Sequence, residues 1–181
     1  MTTELEVLKI VVKRLELADI RYMVSGSVAA NFYTTPRMTR DIDIVIEVEE
    51  NDIEKLCSIF SDDFYIDADS VKAAVRNKHM FNIIHNESIV KVDFIIKKDT
   101  EYRRLEFARR QSIVFEDMKI DITSPEDLVI SKLYWAKDSL SEMQLKDVGN
   151  LLITLHNVDR DYIEKWVSNL GLDKAYNKVQ R

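Results

Sequence analysis

The sequence predicts a mixed α/β (α+β) protein: a small mixed sheet flanked by helices over residues 1–123, then a helical lobe over residues 124–181. Three observations predict it. Two β-branched runs, Ile42 to Val48 and Ile89 to Ile96, alternate with segments of helical apolar period. From Ser124-Pro125 onward the pattern is helical, with no further strand signal. A hydrophobic share of 46% with only three glycines and two prolines suits a packed, helix-rich chain rather than a disordered one.

In chain order, Leu5, Leu8, Val12 and Leu15 recur at helical spacing and predict an amphipathic helix over about residues 3 to 18. Tyr22 to Val24 is a short apolar strand ending in Gly26-Ser27, and a helix-compatible segment, Val28 to Tyr33, follows. A loop with Pro36 and Arg37 leads to Thr39-Arg40-Asp41-Ile42-Asp43 and a strand running to Val48. Asn51-Asp52 offers a cap for a helix burying Ile53, Leu56, Cys57 and Phe60. Phe64 to Ile66 reads as a short strand and Ser70 to Asn77 as a short helix. Met80 to Ile84 and Ile89 to Ile96 form a strand pair. Residues 97–110 hold six cations with Tyr102 and Phe107; Glu101 and Glu106 among them favour a solvated helix face over a guide for a polyanion. Ser112 to Phe115 and Met118 to Ile122 read as a hairpin. Ser124-Pro125-Glu126-Asp127 is a helix start, with a serine cap, proline at the first position and acids in the first turn. That helix puts Leu128, Val129, Leu133 and Ala136 on one side, and the next packs Leu145, Val148, Leu152 and Leu155.

Four acids and one lysine stand out chemically. In a strand, residues i and i+2 point to the same face, so Asp41 and Asp43 project side by side while Ile42, Ile44, Ile46 and Val48 face the core. Two like charges so close are costly unless a cation neutralises them, and oxygen ligands on a strand suit Mg²⁺ or Mn²⁺. Gly26-Ser27, at a strand-to-helix turn, has free N–H groups that favour a phosphate. Asp93 opposes Val92, Phe94 and Ile96 on its strand; it is either an exposed edge position or, beside the first acidic strand, a third carboxylate for the pair. Lys132 lies within an apolar arc, and either snorkels to water or reaches a phosphate between the lobes. Asp147 flanks the stripe of the following helix.

Composition excludes several classes. A net charge of −6 provides no global basic field for nucleic acid. The single Cys57 excludes an intramolecular disulfide and a cysteine zinc cluster. No apolar run approaches the roughly 20 residues of a membrane span, and the acidic, amphipathic N-terminus is unlike a signal peptide, so a cytoplasmic protein is expected. His79, His85 and His156 lack metal-ligand spacing.

Gly26-Ser27, eleven residues, then Thr39-Arg40-Asp41-Ile42-Asp43 resembles the signature of DNA polymerase beta-like nucleotidyltransferases. The resemblance is strongest to the toxin half of AbiE-type toxin–antitoxin pairs and related stand-alone bacterial enzymes. It spans about residues 20 to 150, with Pro125-Glu126-Asp127-Leu128, Lys132-Leu133 and Asp147 matching later features. The family's arginine shortly after Lys-Leu is absent, with only Lys137 nearby.

The resemblance implies a metal-dependent enzyme moving a nucleoside monophosphate from an NTP to an acceptor hydroxyl on tRNA, protein or a small molecule. Asp41, Asp43 and Asp93 would be catalytic and hold Mg²⁺ or Mn²⁺. Gly26, Ser27, Arg40, Lys132 and Asp147 would serve the nucleotide. A cognate antitoxin or another partner protein is the implied protein partner. The competing expectations are a non-catalytic nucleotide-binding module and an antitoxin-type nucleotidyltransferase that modifies a partner.

Overall fold

A capping box opens the first helix: the Thr3 hydroxyl accepts the Glu6 N–H at 3.3 Å and the Glu6 carboxylate accepts the Thr3 N–H at 2.6 Å. This helix, α1 (Glu4–Leu17), buries Val7, Leu8, Val11, Val12 and Leu15 against the sheet. The computed structural model describes residues 3–39, 41–155 and 157–179; Arg40 and His156 lie outside them.

The strands are β1 (Tyr22–Ser25), β2 (Asp41–Ile46), β3 (Phe64–Tyr65), β4 (Met80–His85), β5 (Lys91–Ile96), β6 (Gln111–Phe115) and β7 (Met118–Ile122). They form one mixed sheet in the order β3-β4-β5-β2-β1-β7-β6. At its centre β2 runs parallel to β5, while β1 and β4 flank this pair antiparallel. Parallel neighbours need a crossover, here supplied by a 3₁₀ turn (Glu50–Asp52), α3 (Ile53–Ser58), β3, α4 (Ala68–Asn77) and β4. Ile42, Ile44 and Ile46 of β2 and Val92, Phe94 and Ile96 of β5 fill one core with α1. The remaining helices are α2 (Gly26–Tyr33), α5 (Glu101–Ala108), α6 (Pro125–Ala136), α7 (Glu142–Thr154), α8 (Arg160–Asn169) and α9 (Asp173–Val179). Ala29 and Ala30 of α2 pack with α6, α7, α8 and α9 in a second core. Among the described residues no helix is long and apolar enough to cross a membrane.

The predicted mixed α/β class holds, and several local expectations change: α2 begins at Gly26 rather than Val28, and β5 at Lys91 rather than Ile89. β2 ends at Ile46 rather than Val48. α4 starts two residues early, at Ala68, because Asp67 caps it by accepting the Ser70 N–H at 3.0 Å. The expected solvated face in the basic segment holds for Glu101 and Arg104 but not for Glu106, which α5 buries with Tyr102 and Phe107. Glu106 is tolerated inside because Arg103 Nη1 (2.7 Å) and Ser131 Oγ (2.5 Å) donate to it.

A second buried acid ties the lobe together. Asp127, wholly inaccessible, accepts bonds from Ser124 Oγ (2.6 Å), Arg109 Nε (3.0 Å) and Tyr162 Oη (2.7 Å). Removing the carboxylate strands donors from three elements. Asp127→Ala is therefore expected to cost roughly 3 kcal/mol or more. By calorimetry that lowers Tm by about 6–12 °C, whereas Asp138→Ala on the exposed surface leaves it within a degree or so.

Candidate active-site cleft

The sheet register assembles the site. On the face away from the α1 core, Ser25 of β1, Asp43 of β2, Asp93 of β5 and Asn82 of β4 stand in one transverse row. Asp41, Lys91 and Ile84 form the row on one side of it. Asp93 is therefore not an edge residue: its strand is paired on both sides, and it is only 6% exposed. Asp41 is exposed, and Asp43 is partly covered.

Two carboxylates in adjacent register repel. Burial, then the charges of Asp93 and Asp41, push the Asp43 carboxyl up to about 6, with Lys132 and Lys91 opposing the rise. Lys91 Nζ lies 2.9 Å from Asp93 Oδ2 and 3.7 Å from an Asp41 oxygen. The hydrogen bond to Asp93 raises the Lys91 ammonium above its ordinary value. Lys91 was missed from the sequence, although its place two residues before Asp93 puts it on the same face.

Gly26 opens α2 at φ +61°, and a Cβ there would stand 1.9 Å from Asp43 Oδ2. Only glycine admits both this backbone and the acid beside it. No side chain caps the amides of the first turn of α2. Ser27 Oγ accepts from Arg37 Nη2 at 2.7 Å.

Arg37 is the second residue that sequence reasoning passed over. Its Nε and Nη2 clamp Asp147 at 3.1 and 2.9 Å. Asn31 of α2 fixes its loop through two backbone bonds, at 2.9 and 3.0 Å. Asp147 also accepts from Lys132 Nζ at 2.8 Å. Burial pushes the Asp147 carboxyl up, but the bonds from Arg37 and Lys132 outweigh it and hold the group below its ordinary value. Lys132 is 2% exposed, so it does not snorkel to water; Asp147 and Gln144 Oε1, at 3.2 Å, hold it inside. Asp147 faces inward because α7 buries Asp147, Val148 and Leu151, while the expected Leu145, Leu152 and Leu155 pack half-buried against the same core.

Ser25, Gly26, Ser27, Asp43, Lys132 and Gln144 line one cleft of about 310 Å³. Among the described residues, no three His, Cys, Asp or Glu side chains are gathered closely enough to hold a metal ion as they stand. The chemistry of the row nonetheless fits one: Asp43 and Asp93 are register neighbours, and Asp93 Oδ1 is buried with no hydrogen-bond partner among the described residues. Arg40 lies outside the described residues.

No protein-family model matches the chain, and no curated protein matches it in sequence. Solved structures resemble it in fold. An antigenic nucleotidyltransferase-like protein from Paracoccidioides brasiliensis superposes with a TM-score of 0.62 at 16% identity, over 93% of this chain and 89% of that one. ANT(2")-Ia in complex with adenylyl-2"-tobramycin gives 0.62 at 13%, over 93% and 97%. Lincomycin-bound lincosamide antibiotic adenylyltransferase LnuA gives 0.55 at 17%, over 83% and 96%.

The raised Asp43 carboxyl makes a stability prediction. Its folded pKa, about 6, lies above its ordinary value of 3.8, so the folded state binds the proton more tightly. Asp43 therefore costs the fold nothing below pH about 4, and the cost grows to its full size above pH about 6. In metal-free buffer, Asp43→Asn should be more stable than the wild type at pH 8 by roughly 3 kcal/mol. The gap should close by pH 4, as read by urea unfolding at both values.

Proposed function

We propose that the chain transfers a nucleoside monophosphate from an NTP to an acceptor hydroxyl. The observation that carries this is that Ser25, Asp43 and Lys132 line one cleft with the uncapped start of α2, with Asp93 the register neighbour of Asp43. The fold likeness to proteins described as nucleotidyltransferases and adenylyltransferases supports it.

The chemistry is mostly positioning and neutralisation of charge. Ser27 and the first amides of α2 take oxygens of the triphosphate, with Gly26 permitting close approach. Lys132 supplies a buried positive charge, and Asp147 holds it in place. The acceptor oxygen forms a bond to the α-phosphorus, the bond to the β-phosphate oxygen breaks, and pyrophosphate leaves with the electron pair. Asp93 receives the hydroxyl proton. Asp41, Asp43 and Asp93 would hold Mg²⁺ or Mn²⁺, which when bound neutralises phosphate oxygens and acidifies the acceptor hydroxyl. The AbiE-type resemblance extends the proposal to a toxin countered by a cognate antitoxin, in the cytoplasm.

One observation favours a second reading, a non-catalytic nucleotide-binding module: Lys91 already bonds Asp93 and approaches Asp41, as a lasting substitute for a metal would. One assay separates the two. Pyrophosphate release is followed with each of the four NTPs, a cell extract as acceptor source and Mg²⁺. Wild type should release it, and Asp93→Asn should be slower by roughly 10²–10⁴-fold with NTP binding largely kept. Lys132→Met should weaken NTP binding by about ten-fold. Tight NTP binding without release by the wild type would favour the binding module.

A further inference from the structure

Along the sheet, the row next to the acids is apolar. Two residues beyond Asp43, Asp93 and Asn82, the register brings together Val45 of β2, Ile95 of β5 and Met80 of β4. Two strand residues span about 7 Å, so this floor begins within one small ring of the carboxylates. It underlies a groove of about 850 Å³ that shares Ser25, Met80, Ile95, Ser131 and Trp135 with the cleft. α5, α6 and α8 wall it with Tyr102, Tyr134, Trp135 and Trp166.

We infer that this groove is the acceptor subsite, and that the acceptor is a small hydroxyl-bearing molecule with a planar or apolar body and a hydrogen-bond acceptor, rather than RNA or a protein. The inference rests on the transferase reading above and names its substrate class. Three observations carry it.

The size falls in the roughly 300–1,000 Å³ range of small-molecule sites, which are mainly apolar with a few placed polar groups. Trp166 is 6% exposed, and its buried indole N–H has no hydrogen-bond partner among the described residues. An unpaired buried donor is costly, and a ligand oxygen or nitrogen would satisfy it. The cations at the rim are largely committed. Lys97 pairs with Glu47 at 2.6 Å, Lys78 with Glu49 at 3.5 Å and Arg103 with Glu106 at 2.7 Å. A nucleic-acid backbone needs a track of free cations; among the described residues lining the groove, only Lys98 is a cation without an acid within 4.0 Å. Trp135, on the shared wall, is exposed and offers a ring face to a planar group entering beside the NTP.

In this arrangement the small molecule's hydroxyl oxygen attacks the α-phosphorus, its proton passes to Asp93, and pyrophosphate departs toward Lys132 and α2. The product is the nucleotidylated small molecule.

The test supplies α-labelled NTP and Mg²⁺ with three separated extract fractions: a low-mass filtrate, total RNA and total protein. Label should enter a filtrate compound. Trp166→Phe keeps the ring and removes the N–H, and should raise the KM for that fraction about five- to ten-fold. Trp135→Ala, at an exposed position, should raise it as well and guards against a folding defect in the first variant. The chain's only two tryptophans both line the groove, so the filtrate should also shift intrinsic fluorescence, with NTP absent. Label in RNA or protein would overturn the inference and leave the transferase reading standing. Filtrate labelling with unchanged KM in both variants would place the acceptor elsewhere. Label in no fraction would overturn the transferase reading, and the inference with it.

Discussion

The parallel pairing of β2 with β5 is the constraint on which the rest depends. It sets Asp43 beside Asp93 on the face away from the α1 core, with α6 and α7 lining the cleft at Asp43. The opposite faces of both strands are isoleucine, valine and phenylalanine sealed in the core, so neither strand can slip by one residue without exposing them. The fold therefore cannot relax the repulsion by moving the acids apart. It needs positive charge there, and Lys91 supplies it in the structure as it stands. The upward displacement of the Asp43 carboxyl comes first from its burial and second from this repulsion.

Around this row the chain commits further polar groups to the cleft. Gly26 makes room for the Asp43 oxygen, and α2 starts without a side-chain cap. Arg37 ties the start of α2 to α7, since one guanidinium touches both Ser27 and Asp147. Asp147 in turn holds Lys132, so two cations from different elements share one carboxylate. Such a buried network is costly to leave half-satisfied, which favours one relative arrangement of these elements. The Asp127 and Glu106 networks do the same for α5, α6 and α8.

Much of this was legible because it is local. Alternation of Asp41 and Asp43 with isoleucines, the Gly26-Ser27 turn and the Ser124-Pro125 helix start are statements about neighbouring residues; the acidic strand and the α6 start stand where the sequence puts them, and α2 begins within the turn itself. The placement of Asp93 beside Asp43 was legible only conditionally, because register between strands is not written in either strand. What escaped is long-range. Arg37 and Asp147 are 110 positions apart, and nothing in the loop around Arg37 points to α7. Glu106 looked solvated because its neighbours are charged; its burial depends on Ser131 of α6. Nothing in the sequence marks Trp166, and its N–H, unpartnered among the described residues, gains meaning only beside the groove.

The central claim is that Asp43 and Asp93 act as one cation-binding unit. The most direct measurement is Mn²⁺ binding, read by the loss of the free-ion electron paramagnetic resonance signal beyond that of a protein-free NTP control, on wild type, Asp43→Asn and Asp93→Asn. The account predicts binding by the wild type and at least a ten-fold loss of affinity in each variant, since each removes a charged ligand from the same ion. Equal Mn²⁺ affinity in all three proteins, or none in the wild type with NTP bound, would contradict it.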